Sequence, residues 1–347
     1  MRESSRWTDL DREYPPAGES DDIAETICLN HRILKLTQGR ILRGQHAKAT
    51  GNVRARFVVD PERPASTHFG IFKPTTTYDA IVRFSNGMGR VRSDRKSDGR
   101  GMAIKVLGVE GARALDEVGD QDTQDFVMIN FPTFPFRNVR QYRVATQIKR
   151  ILMANIGPLG NELSQLLFFV PWHLGNFLKV GVKIKRKSRS PLVETYWSMS
   201  PFRLGERAIK FFAEPQPINA EDLPALSNAA TGDDMLADVL KAHLRHKEAR
   251  FDIKVQFQAD PKGTPIEDPS VEWTTTASPP VKVATLIIAP VDLTSADSRA
   301  FHESVEAMSF NPWHSLEDHR PLGGLNRLRK ELYRANAKLR RESASAK

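Results

Sequence analysis

The feature that most constrains this chain is that its strand-like segments fall into two groups far apart in the sequence. Short apolar segments separated by Gly, Asp and Pro clusters occur between Val53 and Ile129, and strand-like segments return at 251–257 and 281–288. From about 139 to 250 the apolar residues recur at helical spacing. We therefore expect both groups to share one α+β unit, with a helical insertion at about 139–250.

The two ends of the chain flank this body. Residues 1–40 are predicted to form an N-terminal arm and one helix, with apolar positions at Ile23, Ile27, Ile33 and Leu36. A tail helix is predicted from about 324 to 341. The length of 347 residues allows either two domains or one large barrel with surrounding helices.

The single cysteine and the start of the chain limit the possible disulfides and metal sites and indicate a cellular location. Cys28 is the single cysteine, which excludes an intramolecular disulfide and a metal cage made of cysteines. It lies in a stretch with helical apolar spacing, so we expect a small buried side chain rather than a thiol nucleophile. Residues 1–6 run into polar sequence without the apolar segment of a secretory signal, so we expect a cytoplasmic protein.

The charge is compatible with an anionic partner. Lys and Arg number 51 against 42 Asp and Glu, a formal net charge of +9, and nucleic acid, anionic lipid and an anionic cofactor all fit it. The densest basic cluster, 183–189, follows an apolar run at 166–174 that is shorter than the ~20 residues needed to span a bilayer. The segment from Leu163 to Arg189 is therefore either a peripheral membrane or lipid contact, or a buried helix and a solvated loop, which we favour.

Standard catalytic motifs are missing from the sequence, but the tail helix places three polar residues together. There is no Walker loop, no Gly-x-Ser-x-Gly elbow and no His-Glu-x-x-His zinc motif. At ~100° per residue, Arg329, Tyr333 and Arg340 lie on one helix face. A tyrosine becomes an anionic ligand only where nearby cations favour the phenolate, and Arg329 can supply that charge. On spacing alone, a solvated arginine face with an ordinary core tyrosine remains the alternative.

Four further segments extend this pattern in a fixed order. They are Arg43-Gly44-Gln45-His46-Ala47-Lys48, Arg83-Phe84-Ser85, Asp98–Lys105 and Asp125–Asn138. Together with the tail helix they resemble the core of the haem catalases, from about Arg43 to Arg340. The resemblance implies one haem-binding domain at 41–347, built as a catalase-like antiparallel β-barrel with surrounding helices and a C-terminal proximal-ligand helix.

The resemblance also implies roles for individual residues. Tyr333 would be the ligand to the iron of haem b (iron protoporphyrin IX), and Arg329 would hold it as phenolate. On the distal side, His46 would be the acid/base, Asn130 the hydrogen-bond donor to the peroxide, and Ser85 the group that orients the imidazole. The haem propionates would be bound by Arg43, Arg83 and Arg340.

The implied activity is that of a haem peroxidase, reducing hydrogen peroxide or organic hydroperoxides through a high-valent iron-oxo intermediate with an organic electron donor. Gln45 stands where catalases usually have a small apolar residue, and the chain ends soon after Tyr333, so the sequence is most similar to the small catalase-related peroxidases. Alternatives are a fatty-acid hydroperoxide isomerase of the allene oxide synthase type and a non-catalytic haem-binding protein. A lipid- or nucleic-acid-binding barrel without haem rests on charge alone, so no nucleic-acid partner is expected. A homo-oligomer is left open.

Overall fold

The computed structural model describes residues 7–36, 43–115, 122–169 and 188–345. The strands within these ranges are β1 (Ala49–Val59), β2 (Thr77–Asn86), β3 (Arg100–Leu107), β4 (Thr123–Ile129), β5 (Tyr196–Trp197), β6 (Phe202–Leu204), β7 (Arg207–Pro215), β8 (Ala249–Phe257) and β9 (Val281–Ile288). The helices are α1 (Glu19–Leu36), α2 (Val139–Phe169), α3 (Leu223–Ala229), α4 (Met235–Leu244), α5 (Ala296–Ala307) and α6 (Gly324–Ser345).

Eight of these strands close into an antiparallel barrel. The order around it is β1, β2, β3, β4, β5, β7, β8 and β9, and β6 adds to the free side of β7. The strands from the N-terminal part of the sequence, β1 to β4, meet those from the C-terminal part where β1 pairs with β9. Phe57 lies opposite Leu286 in this pair. On the other side, β5 pairs with both β4 and β7, with Trp197 opposite Phe212. The prediction of one α+β barrel with surrounding helices is confirmed.

Apolar side chains fill the barrel. Along β8, Ala249, Phe251, Ile253 and Val255 are buried in the core cluster, and the residues between them at 250, 252 and 254 are more exposed, as a strand period of two requires. Aromatic rings span the interior, among them Phe126 and Phe211 with centroids 4.9 Å apart. The charged side chains of β8 at 250, 252 and 254 therefore lie on the outer face of the barrel.

The tail helix α6 lies against α1 and α2 along an apolar stripe. Leu325, Leu328 and Leu332 are buried together with Val139 of α2, at the i, i+3 and i+7 positions of one helix face. This packing fixes which way the polar face of α6 points. The helix predicted at 324–341 is confirmed, and in the structure it continues to Ser345.

Two predictions made from the sequence are wrong. The stretch at 139–250 is not helical throughout, because β5, β6 and β7 occupy 196–215; two of these strands are very short, and most of β7 is buried on both faces, so no period of two is visible. Cys28 is exposed rather than buried, since α1 turns Thr26, Leu29 and Ile33 inward instead.

The segment from Leu163 to Arg189, predicted to be a buried helix and a solvated loop in preference to a lipid contact, lies mostly outside the described residues, which exclude 170–187. In the ranges that the structure describes, no helix has both the length and the apolar character needed to cross a bilayer.

Candidate functional site

The outer face of β2 carries two of the predicted site residues. Val82 and Phe84 belong to the barrel core, so Arg83 and Ser85, which alternate with them, point to the opposite face. Both are nearly fully buried, because other elements cover them. Strand β2 thus places a guanidinium and a hydroxyl in a buried polar region outside the barrel.

His46 is held rigidly beside Ser85. Its backbone is in the left-handed region, with φ of 57°, and its N–H donates to the Gly87 carbonyl at 3.0 Å. The imidazole Nδ1 and Ser85 Oγ are 3.0 Å apart, which is a hydrogen bond. Gly101 on β3 leaves room for the ring, since a Cβ there would lie 2.6 Å from His46 Cε1 and 2.7 Å from Ser85 Oγ.

The surroundings keep the imidazole neutral. Burial, followed by the positive charges of Arg83, Arg329 and Arg43, lowers the pKa of His46 to about 3. At neutral pH the ring therefore has one protonated and one unprotonated nitrogen. Arg83 lies on β2 and Arg329 on α6, and both are close enough to His46 to affect its pKa. Elements from both ends of the chain therefore meet around His46.

The three arginines assigned to propionates converge on the C-terminal end of α5. Arg83 binds the Glu306 carboxylate through Nε at 2.7 Å and Nη2 at 3.0 Å. Nη2 of Arg43 donates to the Met308 carbonyl at 2.9 Å, and Nη2 of Arg340 donates to the same oxygen at 3.0 Å. Residues that are almost 300 positions apart thus share one acceptor.

The positive charges of this cluster repel one another. Burial, and then repulsion from Arg83 and Arg340, lowers the pKa of Arg43, and its Nε atom is buried with no hydrogen-bond partner among the described residues. Carboxylates would reduce the repulsion between the guanidiniums, because they carry the opposite charge, and would accept the missing hydrogen bond, because they bind arginine in a bidentate manner. The donor set therefore fits the two propionates of haem.

On α6, Arg329 is fixed against the Tyr333 phenol. Its Nη2 donates to Tyr333 Oη at 3.4 Å and its Nη1 to Asn326 Oδ1 at 3.1 Å. Asn326 is fully buried and in turn donates through Nδ2 to the carbonyls of Pro201 at 2.8 Å and Leu322 at 3.0 Å. A held guanidinium stabilises negative charge on the oxygen beside it, which is what a phenolate ligand to a metal requires.

A neighbouring tyrosine is unsuited to that role. Burial, and then the negative charge that the Tyr333 phenol can carry, raises the pKa of Tyr142 to about 12. Its phenol therefore stays protonated. Within the described ranges, no group of three or more His, Cys, Asp and Glu side chains could hold a metal ion. Of these two phenols, Tyr333 is the one whose oxygen accepts a hydrogen bond from Arg329.

Asn130 is placed next to this region by strand register. Ser85, Gly101 and Ile129 lie side by side across β2, β3 and β4, and Asn130 follows Ile129. Its Oδ1 accepts from the Arg100 N–H at 2.8 Å and its Nδ2 donates to Glu194 Oε2 at 3.2 Å. The two contacts fix which end of the amide is the donor, and Nδ2 carries a second hydrogen.

The structure therefore brings His46, Ser85, Arg83, Arg43 and Arg340 together directly, with Arg329 and Tyr333 as a pair beside them. Sequence reasoning missed three residues that hold this set in place: Glu306, Asn326 and Glu194. No local pattern marks Glu306 or Glu194, because each meets its partner through tertiary packing. Asn326 alone had a signal, since it lies one helical turn before Arg329.

Comparisons with known proteins agree with the fold. No protein-family model matches the sequence, and no curated protein matches it either. Solved structures match with probability 1.00: a bacterial catalase (14% identity, TM-score 0.60, 94% of this chain), a fungal catalase (13%, 0.63, 98%) and catalase A from Saccharomyces cerevisiae (15%, 0.60, 96%). The chain spans 61%, 66% and 67% of their respective lengths. It has the catalase fold.

Proposed function

We propose that this chain binds haem b with Tyr333 as its axial ligand and reduces hydrogen peroxide or organic hydroperoxides with electrons from an organic donor. The observation that carries the proposal is that Arg43 and Arg340, from opposite ends of the chain, donate to the same carbonyl at the end of α5. Arg83 joins them through Glu306. A cluster of three guanidiniums, of which Arg83 is buried, suits a dianionic, metal-bearing ligand when it lies beside a tyrosine–arginine pair.

The reaction balances as ROOH + AH₂ → ROH + H₂O + A, where AH₂ is the donor and R is hydrogen or an organic group. Haem iron, when bound, supplies the redox chemistry that breaks the O–O bond. The residues of the chain bind the group, orient the peroxide and move its proton.

His46 is suited to move that proton from one oxygen to the other. When Nδ1 carries the ring proton and donates it to Ser85 Oγ, Nε2 presents a lone pair that can accept the peroxide proton. The resulting imidazolium is disfavoured by burial and by the positive charge of Arg83, the causes that lower the His46 pKa to about 3. It therefore returns the proton readily to the departing oxygen.

The remaining groups position the reactants. Asn130 offers the second hydrogen of Nδ2 to the peroxide, with the amide orientation set by Arg100 and Glu194. Arg329 stabilises the negative charge on the Tyr333 oxygen. Proton transfer by a well-positioned side chain typically contributes ~10²–10⁴-fold to a rate.

The ligand assignment is tested with Tyr333→Phe and, as a matched control, Tyr142→Phe. We expect wild-type protein incubated with haem to develop a tyrosinate-type Soret spectrum, which Tyr333→Phe loses or strongly alters. Tyr142 is a nearby buried phenol with a raised pKa, so its removal should leave the spectrum unchanged. An unchanged spectrum and full haem retention in Tyr333→Phe would reject the assignment.

The catalytic role is tested with His46→Ala. If His46 moves the proton, peroxide turnover per bound haem falls by at least ~10²-fold while the Soret spectrum persists. Unchanged turnover per haem shows that the residual peroxide chemistry does not depend on His46, and it favours a haem-binding protein over an enzyme. Oxygen evolution against donor oxidation in wild-type protein then separates catalase from peroxidase activity, and conversion of a fatty-acid hydroperoxide without a donor identifies the isomerase alternative.

A further inference from the structure

Among the described residues, Glu306 is the carboxylate that contacts Arg83 of the arginine cluster. It makes a two-point contact with Arg83, whose side chain is 4% exposed, while its own side chain is 30% exposed. Asn52 Nδ2 donates to the same carboxylate at 3.1 Å. Asn52 also contacts His302 on the preceding turn of α5. The carboxylate is thus fixed by a side chain from β1 and one from β2.

Its ionisation is secured by these partners. Burial alone would raise the pKa of Glu306, but the hydrogen bond and charge of Arg83, with Asn52 and Arg43, lower it to about 2. The ionised carboxylate therefore lowers the positive charge at this end of α5, where the guanidiniums of Arg43, Arg83 and Arg340 converge. The two propionates of haem b carry a charge of −2.

We propose that Glu306 is a positioning residue of the haem site: it holds Arg83 in place and lowers the positive charge that the arginine cluster presents to the two propionates. This proposal rests on the proposed function. Without Glu306, the cluster would present one more unit of positive charge to a bound haem. Arg83, which also donates through Nη2 to the His46 carbonyl at 3.0 Å, would lose the contact that fixes its guanidinium.

Replacing Glu306 should change the reduction potential of bound haem and the preference of the site for the propionate charges. A residue with only a structural role would change neither quantity. Removing a negative charge beside haem favours the ferrous state, so Glu306→Gln raises the reduction potential of the bound haem. It also strengthens discrimination between haem and haem dimethyl ester, which lacks the propionate charges. A unit charge ~10 Å away at an effective dielectric constant of ~20 changes a binding constant about tenfold or more.

The experiment compares wild-type protein, Glu306→Gln, Glu306→Asp and Glu303→Gln, each titrated with haem and with haem dimethyl ester, followed by potentiometry of the haem-loaded proteins. Glu303 is exposed on the same helix and gives the same change in formal charge. We expect a higher potential and an about tenfold larger preference for haem in Glu306→Gln alone. Glu306→Asp keeps the charge and should stay near the wild-type potential.

The outcomes separate the two proposals. If wild-type protein binds haem but Glu306→Gln shifts neither the potential nor the preference for haem beyond Glu303→Gln, the role of Glu306 is rejected and the proposed function stands. Equal shifts in Glu306→Asp and Glu306→Gln also reject a role for the charge of Glu306. If wild-type protein develops no Soret absorbance, the proposed function fails, and the role of Glu306 with it.

Discussion

Gly101→Ala is the sharpest single test of how the site is built. A Cβ at this position would lie 2.6 Å from His46 Cε1 and 2.7 Å from Ser85 Oγ, whereas carbon atoms in contact normally stay ~3.5 Å or more apart. The imidazole must therefore move by ~1 Å. The backbone of His46 is fixed by its hydrogen bond to the Gly87 carbonyl, so the ring itself has to turn away. The 3.0 Å hydrogen bond to Ser85 is then lost.

The expected effect on activity is large and the effect on stability modest. A misplacement of ~1 Å in a catalytic group costs on the order of 10²-fold in rate, and overpacking of this kind costs ~1–3 kcal/mol in the free energy of unfolding. Because Tyr333 is not touched, haem binding and the Soret spectrum should persist. The assay is peroxide turnover per bound haem, together with urea denaturation.

A second glycine provides the control. A Cβ on Gly232 would meet only one backbone atom, at 4.0 Å, so Gly232→Ala should leave turnover unchanged. If Gly101→Ala also turns over within about threefold of the wild-type rate, then either the ring is free to shift without consequence or His46 does not take part in the rate-limiting step. The first explanation would refute the argument from packing, and the second would refute the proposed role of His46.

Three further outcomes follow from the same contacts. The pKa of His46 is lowered to about 3 in the folded protein, so the unfolded chain takes up the proton at a higher pH than the folded chain. The free energy of unfolding should therefore fall by ~3–5 kcal/mol between pH 6.5 and 3. Urea denaturation of the His46→Gln variant should show a smaller fall over the same pH range. Asn326→Ala removes three buried hydrogen bonds and frees Arg329, so it should cost ~3 kcal/mol and broaden the Soret band. Glu194→Gln loosens the amide of Asn130 and should raise the KM for peroxide more than it lowers kcat, as steady-state kinetics would reveal.

The sequence predicted those parts of the fold that depend on local periodicity. The segments with a clear period of two, such as 251–257, are strands in the structure, and the helical spacing from 324 onwards is a helix. The pairing of Arg329 with Tyr333 was also accessible, since one helical turn fixes their separation. What failed was β7, whose mostly buried residues show no alternation.

The residues that support the site could not be found in this way. Glu306 reaches Arg83 across 223 positions and Glu194 reaches Asn130 across 64, so only the closed barrel brings the partners together. The position of Cys28 illustrates the same limit within a helix. Apolar spacing showed that α1 has a buried face, but the rotation of that face depends on α2 and α6, which lie far away in the sequence.

Under the proposed function, the arginine cluster would link cofactor binding to the folding of the barrel, α5 and α6. Arg43 lies just before the barrel and Arg340 near the end of α6, and both donate to the Met308 carbonyl after α5. A ligand that takes up these guanidiniums can bind only when barrel, α5 and α6 are all in place. Such a ligand stabilises the native state by RT ln(1 + [L]/Kd) and leaves the unfolded chain unaffected. Part of the excess positive charge of the sequence is therefore concentrated where an anionic cofactor would convert it from a cost to the fold into a source of stability.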